Sequence, residues 1–120
     1  MMIDENDIEA FRDIINESSN IVIFTGAGIS TESGIPDFRS PGGLWTKFKP
    51  INFSEFISSE EVRIESWNRK FSIDSEISEA KPNKGHKAIS MLISDGKAKA
   101  VITQNIDNLH HDSGIQSNKI

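Results

Sequence analysis

An uninterrupted apolar run, residues 21–24, leads directly into a turn that contains Gly26 and Gly28. A short run of β-branched and aromatic residues without polar alternation is typical of a parallel strand that is buried on both faces. Glycines that directly follow such a strand allow a tight turn and a close approach of the backbone to a bound group. The chain is therefore expected to continue as alternating helices and strands around a parallel sheet.

The other elements follow from periodicity and from helix-breaking residues. Apolar residues at helical spacing predict an amphipathic helix over residues 4–18. Another helix is expected between Asn83 and Gly96, and a second buried strand over 98–103. Further predicted helical segments are two short helices within 53–72 and one helix from about Asp107. This order predicts an α/β fold, an incomplete Rossmann-like parallel sheet with flanking helices.

Length and charge limit the classes of function. With 120 residues, the chain is expected to form one domain or part of one. The net charge of −5 argues against direct binding of nucleic acid. The sequence shows no membrane-spanning stretch and no secretory signal pattern, so we expect no membrane partner and a cytoplasmic location.

Residues 33–50 are rich in glycine and proline, which predicts a long irregular loop. The loop also carries Phe38, Leu44, Trp45 and Phe48, which a disordered linker would seldom contain. We therefore interpret it as an ordered loop that closes on a ligand.

The glycine turn alone leaves two interpretations open. Gly26 and Gly28 are compatible with phosphate binding, but Thr31 occupies the third glycine position of the dinucleotide fingerprint, and the lysine of a P-loop is missing. A tight turn that needs positive φ explains the glycines equally well.

Four sequence blocks decide between these interpretations, and they read GAGIS, ESGIPDFRSPGGLW, AKPNKGH and TQNIDNLHHDSG. Together they resemble the N-terminal portion of the sirtuin family over residues 21–114. The resemblance implies that residues 1–120 are part of a Rossmann-fold domain that binds NAD as cosubstrate. It also implies a small zinc-binding domain that is absent from this chain, and the chain has no cysteine to bind zinc.

The resemblance also implies roles for individual residues. The phosphates and a ribose of NAD would lie against Gly26, Ala27, Gly28 and Ser30, with Glu32 nearby. The nicotinamide end would lie beside Asp37, Phe38 and Arg39, and the carboxamide and its ribose would contact Gln104, Asn105, Ile106 and Asp107. Phe38 would exclude water and Arg39 would pair with phosphate, whereas the structural alternatives are a core aromatic and a surface ion pair.

Asn105 and Asp107 are the most informative single positions, and Asn105 would have a supporting role in catalysis. Both follow the second predicted strand, at the sheet edge where ligands bind in such folds. The structural alternative for Asp107 is a cap on the next helix, which is compatible with ligand binding.

The histidines are interpreted structurally. His86 is expected at a helix start, His110 matches a family position that is mostly structural, and His111 is expected on the surface. The catalytic histidine of the family lies in a block expected a few residues beyond Ile120. We therefore expect that residues 1–120 alone do not deacylate a substrate.

The resulting hypothesis is an NAD-dependent protein lysine deacylase that converts NAD and acyl-lysine protein into nicotinamide, lysine and O-acyl-ADP-ribose. Acetyl-lysine is the default substrate. Sirtuins that remove acidic acyl groups have a Tyr-x-x-Arg pair where this chain has Trp67 and Lys70, so an acidic acyl group stays open. The alternatives are a non-catalytic module that binds NAD or ADP-ribose and a nicotinamide oxidoreductase.

Overall fold

The computed structural model describes residues 2–120. Its helices and strands, in chain order, are α1 (Glu5–Glu17), β1 (Ile21–Thr25), a first 3₁₀ helix (Ala27–Ser33), α2 (Leu44–Lys47), α3 (Phe53–Ser58), α4 (Glu60–Glu79), α5 (Lys84–Ser94), β2 (Ala98–Thr103), α6 (Leu109–Asp112) and a second 3₁₀ helix (Ser117–Lys119). Within the described residues, no helix combines the length and the apolar character needed to cross a bilayer.

The two strands form a parallel sheet that confirms the predicted fold class. Val22 lies opposite Ala100, and Thr25 lies opposite Thr103, so β1 and β2 end at the same edge. Helix α5 precedes β2 and packs against it, which gives the crossover that a parallel pair needs. The residues that follow both strands are thereby brought to one end of the sheet.

Local side-chain chemistry fixes the ends of the helices. Asp4 caps α1, because its carboxylate accepts a hydrogen bond of 2.9 Å from the amide of Asn6. Asn83 caps α5 in a reciprocal arrangement with His86. Gly96, with φ of 78°, lies in the left-handed region just beyond α5. The predicted boundaries of α1, α5 and β2 are confirmed.

Two expectations about elements are wrong in detail, those for residues 53–72 and for the loop over 33–50. The predicted pair of short helices within 53–72 is instead the six-residue α3 and the 20-residue α4. Ser59 caps α4, and no glycine or proline interrupts the helix before Ala80. The helical segment expected from about Asp107 is confirmed as the single turn α6, and Gly114 follows it with φ of 100°. The loop over 33–50 contains one helical turn, α2.

Within residues 2–120, the two strands are covered on one face. The buried apolar residues are Ile35, Ala98, Val101, Leu109 and Ile115. On the opposite face of the sheet, residues 2–120 leave Phe24 66% exposed and leave Val22 and Ile102 exposed as well. The core therefore lies between the sheet and the elements α5, α6 and the second 3₁₀ helix.

Candidate functional site

A cavity of about 360 Å³ opens at the carboxyl ends of β1 and β2. Parallel sheets bind ligands at this edge, because loops diverge there and leave a crevice. The predicted site residues that line the cavity are Ala27, Ser30, Phe38, Gln104, Asn105, Ile106 and Asp107. The cavity thus brings together side chains that are up to 80 positions apart in the chain, from Ala27 to Asp107.

Hydrogen bonds tie the ends of the two strands to each other. The Asn105 side-chain amide donates to the carbonyl oxygen of Gly26 at 2.9 Å, and the Asn105 backbone amide donates to Thr103 Oγ1 at 3.1 Å. The backbone amide of Gln104 donates to the carbonyl oxygen of Thr25 at 3.0 Å. Asn105 is therefore held in one position at the cavity wall. Gly26 does not line the cavity itself, but its carbonyl oxygen sets the orientation of Asn105.

The turn after β1 continues as a 3₁₀ helix rather than an α-helix. Gly26 has an extended backbone with φ of −132°, so the turn does not need positive φ at this position. Gly28 is exposed, and a Cβ atom added there would have no heavy atom within 4 Å. The tight-turn interpretation is therefore wrong for Gly26, and Gly28 presents open backbone to a neighbouring cavity of about 440 Å³.

Ser30 and Asp107 form a buried pair beneath the first cavity. The Ser30 hydroxyl donates to Asp107 Oδ2 at 2.5 Å, and Asp107 Oδ1 accepts from the backbone amide of Leu109 at 3.0 Å. Asp107 thus forms an Asx turn that leads into α6, whose N-cap residue is Asn108, and it also lines the cavity. Asp107 therefore combines the local structural role with a place in the cavity wall, and its binding to a ligand stays a prediction.

His86 lies below this pair and is completely buried, with 0% of its surface exposed. Its Nδ1 accepts a hydrogen bond of 3.2 Å from the backbone amide of Asn83, and its Nε2 lies 3.4 Å from Ser30 Oγ. Burial lowers the pKa of His86, and the nearby negative charge of Asp107 opposes this effect. His86 is therefore neutral near pH 7, and its predicted place at a helix start is confirmed.

His110 is the second buried histidine. Its Nε2 lies 2.8 Å from Thr25 Oγ1, and its ring meets the ring of His86 edge-on at 5.2 Å. Burial is the main cause that lowers the pKa of His110, followed by the proximity of His86. No residue within 2–120 bonds to Nδ1 of His110. His111 is exposed, as predicted.

The loop that follows the first 3₁₀ helix is ordered by its own contacts. The backbone amide of Leu44 donates to the carbonyl oxygen of Asp37 at 2.7 Å, and that of Trp45 donates to Phe38 at 2.9 Å. The carboxylate of Asp37 accepts from the amide and the hydroxyl of Ser40. These bonds confirm the predicted order of the loop.

Phe38 lies at the wall of the first cavity rather than in the core. Its ring is 5.1 Å from that of Trp45, and 41% of its surface is exposed. The alternative of a core aromatic is therefore wrong for Phe38. Among the remaining predicted residues, Asp37 lines the second cavity together with Gly28.

Glu32 and Arg39 are exposed and line neither cavity. Within the described residues, Arg39 has no ion-pair partner, which makes the alternative of a surface ion pair wrong. Arg39 lies in the same loop as Asp37, at the rim of the site. Its guanidinium is free to meet an anion there.

Helix α4 supplies several cavity residues, of which the sequence analysis singled out only Lys70. Its side chains that line the first cavity are Ser66, Arg69, Lys70, Ile73, Asp74 and Ile77. Arg69 lies 4.8 Å from the ring centre of Phe48 and donates to the carbonyl oxygen of Lys49 at 2.8 Å. Lys70 pairs with Asp74. Their spacing of three and four positions would have revealed this face, had α4 been predicted as one long helix.

Metal ligands do not converge within the described residues, where no group of three histidine, aspartate or glutamate side chains could hold an ion. The chain also has no cysteine. The zinc ion implied by the resemblance thus has no thiolate ligand here.

Comparison with known proteins identifies the protein family to which this chain is similar. The model of the Sir2 family matches residues 26–120. NAD-dependent protein deacetylase 1 of Bradyrhizobium diazoefficiens is 56% identical over 107 residues, which are 89% of this chain and 42% of that protein. NAD-dependent protein deacylase Sirt4 of Drosophila melanogaster is 42% identical over 113 residues, or 92% of this chain and 36% of that protein.

Solved structures give the same result. The structure described as "Structural Basis for the Mechanism and Regulation of Sir2 Enzymes" is 40% identical, with a TM-score of 0.82, and the match covers 94% of this chain and 44% of the other. A Sir2 variant with a deacetylated p53 peptide and 3'-O-acetyl ADP ribose matches with a TM-score of 0.80 and 40% identity, over 91% of this chain and 44% of the other. This chain spans less than half the length of these relatives.

Proposed function

The chain belongs to the Sir2 family, and on that premise we propose that it forms the NAD-binding part of an NAD-dependent protein lysine deacylase. The relatives named above are NAD-dependent protein deacetylases and deacylases. The observation that carries the proposal is the convergence of Ser30, Phe38, Asn105 and Asp107 on one cavity at the carboxyl ends of the strands.

The residues of this cavity suit the nicotinamide half of NAD. Asp107 uses one oxygen for Ser30 and the other for the amide of Leu109, but each carboxylate oxygen has a second lone pair. Asp107 can therefore also accept from the carboxamide N–H groups of nicotinamide. Asn105 is held by Gly26, so its side-chain oxygen stays in place to accept from a ribose hydroxyl.

The phosphates of NAD are assigned to the second cavity, where the exposed backbone of Gly28 gives room for a close approach. Arg39, free of partners among residues 2–120, supplies the positive charge at its rim. Phe38, stacked on Trp45 at the wall of the first cavity, shields the ribose carbon from water once nicotinamide leaves. NAD supplies the reactive bond between that carbon and nicotinamide.

The general base of the reaction is proposed to come from outside these residues. His86 is fully buried and bonded to Asn83, and His110 is buried against Thr25. His111 is exposed and does not line the first cavity. A base must reach the proton that it removes, and none of these rings has access to the cavity. We accordingly propose that residues 1–120 do not deacylate a substrate alone.

The proposal is tested by incubating the whole protein with NAD and an acetyl-lysine peptide. Mass spectrometry is expected to show loss of the acetyl group, together with stoichiometric release of nicotinamide. Peptides with acidic acyl groups, assayed in parallel, establish the acyl preference. An absorbance change at the reduced-nicotinamide band, without deacylation, would instead identify an oxidoreductase. Binding of NAD without turnover would identify a binding module.

Asn105 provides a matched test of the site. Asn105→Ala removes the hydrogen bond to Gly26 and the contact to the ribose, so we expect kcat/KM for NAD to fall by about tenfold or more. Asn68→Ala, on the exposed surface of α4 and outside the first cavity, is the control and should leave kcat/KM unchanged. Equal activity of the two variants would contradict the assigned site.

A further inference from the structure

His86 has only one tautomer that satisfies its surroundings. The backbone amide of Asn83 donates to Nδ1, so this nitrogen must carry a lone pair and no hydrogen. The ring is completely buried and neutral, so its single hydrogen is on Nε2. The helix cap formed by Asn83 and His86 thus decides which nitrogen of the ring can donate.

The hydrogen on Nε2 faces the hydroxyl of Ser30, at a distance of 3.4 Å between Nε2 and Oγ. The hydroxyl has one hydrogen, and it donates this hydrogen to Asp107 Oδ2 at 2.5 Å. Ser30 can therefore only accept from His86. The result is a one-way chain of donors, from the ring of His86 through Ser30 to the carboxylate of Asp107.

Two consequences follow for the cavity. The hydroxyl of Ser30 is committed to Asp107, so it meets a ligand as an acceptor and not as a donor. The carboxylate of Asp107 is fixed on one side by Ser30 and on the other by the amide of Leu109. Its remaining lone pairs are thereby held in one orientation at the cavity wall.

We propose that His86 is a positioning residue for the nicotinamide end of NAD, because its Nε2–H holds Ser30 in the orientation that fixes Asp107. This inference rests on the proposed NAD site. His86 itself touches no ligand, since it is fully buried beneath the pair. Its effect is transmitted by Ser30, and the effect should vanish when the serine hydroxyl is removed.

Two substitutions distinguish the role of Nε2 as a donor from the role of Nδ1 as an acceptor. His86→Asn keeps an acceptor near the Nδ1 position for the amide of Asn83 but loses the donor toward Ser30. His86→Gln places an amide donor near the Nε2 position and loses the acceptor for Asn83. The first variant is expected to raise the KM and the Kd for NAD about fivefold with little change in kcat, whereas the second should stay within about twofold of wild type.

The variants are made in the whole protein, and NAD binding is measured by calorimetry. Denaturant midpoints are measured for both, because loss of the cap should destabilise His86→Gln at least as much as His86→Asn. A binding defect confined to His86→Asn is then separated from a folding defect. If the two variants bind NAD equally, or if His86→Gln is the weaker, the proposal is overturned.

A double-mutant cycle supplies the decisive control. Ser30→Ala should remove the route from His86 to Asp107, so adding His86→Asn to it should weaken NAD binding no further. Additive effects of the two substitutions would overturn the proposal. Long-range ¹H–¹⁵N spectra of the wild-type histidines should show His86 with its hydrogen on Nε2, and a hydrogen on Nδ1 would likewise overturn it.

These outcomes also distinguish this inference from the proposed function. Absence of NAD binding by the wild-type protein would refute the NAD site and, with it, the role of His86. Normal NAD binding by both wild type and His86→Asn would refute the role of His86 alone.

Discussion

Replacement of Lys97 by methionine is expected to release helix α1 from the rest of the fold. Lys97 lies just before β2, and its Nζ donates to the carbonyl oxygens of Ile15 at 2.8 Å, Asn16 at 2.7 Å and Ser18 at 3.3 Å. These oxygens are at the carboxyl end of α1, where the last carbonyl groups have no partner within the helix. No side chain of α1 is buried, so Lys97 is its main polar link to the sheet.

The size of the effect follows from the charge and from the number of acceptors. A hydrogen bond to a charged group contributes about 1.5–3 kcal/mol, and methionine retains most of the length of the lysine stem without its charge. A net loss near 2 kcal/mol raises the equilibrium constant for opening of α1 about 30-fold. Lys97→Met should therefore accelerate hydrogen exchange of the α1 amides by this factor and leave β2 nearly unchanged.

The assay is hydrogen exchange with mass spectrometry on peptides from α1 and β2. Lys99→Met is the matched control, because Lys99 is exposed on β2, two residues after Lys97, and its Nζ donates only to the carbonyl oxygen of Gly96. The control should leave exchange in α1 at the wild-type rate. Equal exchange of the α1 amides in the two variants, or fast exchange of these amides already in the wild type, would show that Lys97 does not hold α1 against the sheet.

Three further predictions concern stability and the loop. The pKa values of buried His86 and His110 are lowered from 6.5, so below about pH 6.5 the unfolded chain binds more protons than the folded one. As the pH is lowered, the free energy of unfolding should therefore decrease by up to about 1.4 kcal/mol per pH unit for each histidine, until the pKa of the folded state is reached. Denaturant titration at several pH values measures this decrease, and a free energy that does not change with pH would contradict the prediction. Gly43→Ala would place a Cβ atom 2.7 Å from Asp37 Oδ1 and 2.9 Å from its carbonyl oxygen, so the loop must shift, and the denaturant midpoint should drop as for a loss of about 1–3 kcal/mol. Gly28→Ala meets no heavy atom within 4 Å and should leave the midpoint unchanged while weakening NAD binding, and unchanged binding would exclude a phosphate contact there.

Much of the fold is predictable from sequence because local signals agree at the positions that matter. The apolar run before Gly26 and the run after Gly96 form β1 and β2. The connecting helix α5 begins after Asn83, because the Asn83 side chain accepts hydrogen bonds from the first backbone amides of the helix. Parallel pairing of these strands then brings residues 104–107 beside the first turn. Most of the cavity wall contributed by the two turns follows from this.

The prediction errors concern features of the fold that local sequence patterns do not determine. Helix α4 has little apolar periodicity, so its length is set by the Ser59 cap and by the absence of breakers rather than by a clear stripe. The contribution of Arg69 to the cavity therefore cannot be predicted from the local pattern, and Lys70 is indicated only by the family resemblance.

The relation between Ser30, Asp107 and His86 is likewise not visible in the sequence. The three residues are far apart in the chain and belong to a turn, a strand end and a helix start. Motif resemblance points to Ser30 and Asp107 separately. Only the structure shows that their side chains form a hydrogen bond with each other, and that the buried ring of His86 contacts Ser30.

Calorimetric titration of NAD into the whole protein tests whether the first cavity binds NAD, with Asp107→Asn and Asn68→Ala as the paired variants. We expect one NAD per chain for the wild type, the same affinity for Asn68→Ala, and a Kd at least about tenfold higher for Asp107→Asn, because the neutral amide loses a charged acceptor for the carboxamide. Absence of binding by the wild type, or equal affinity of the two variants, would contradict the assignment of the cavity as an NAD site.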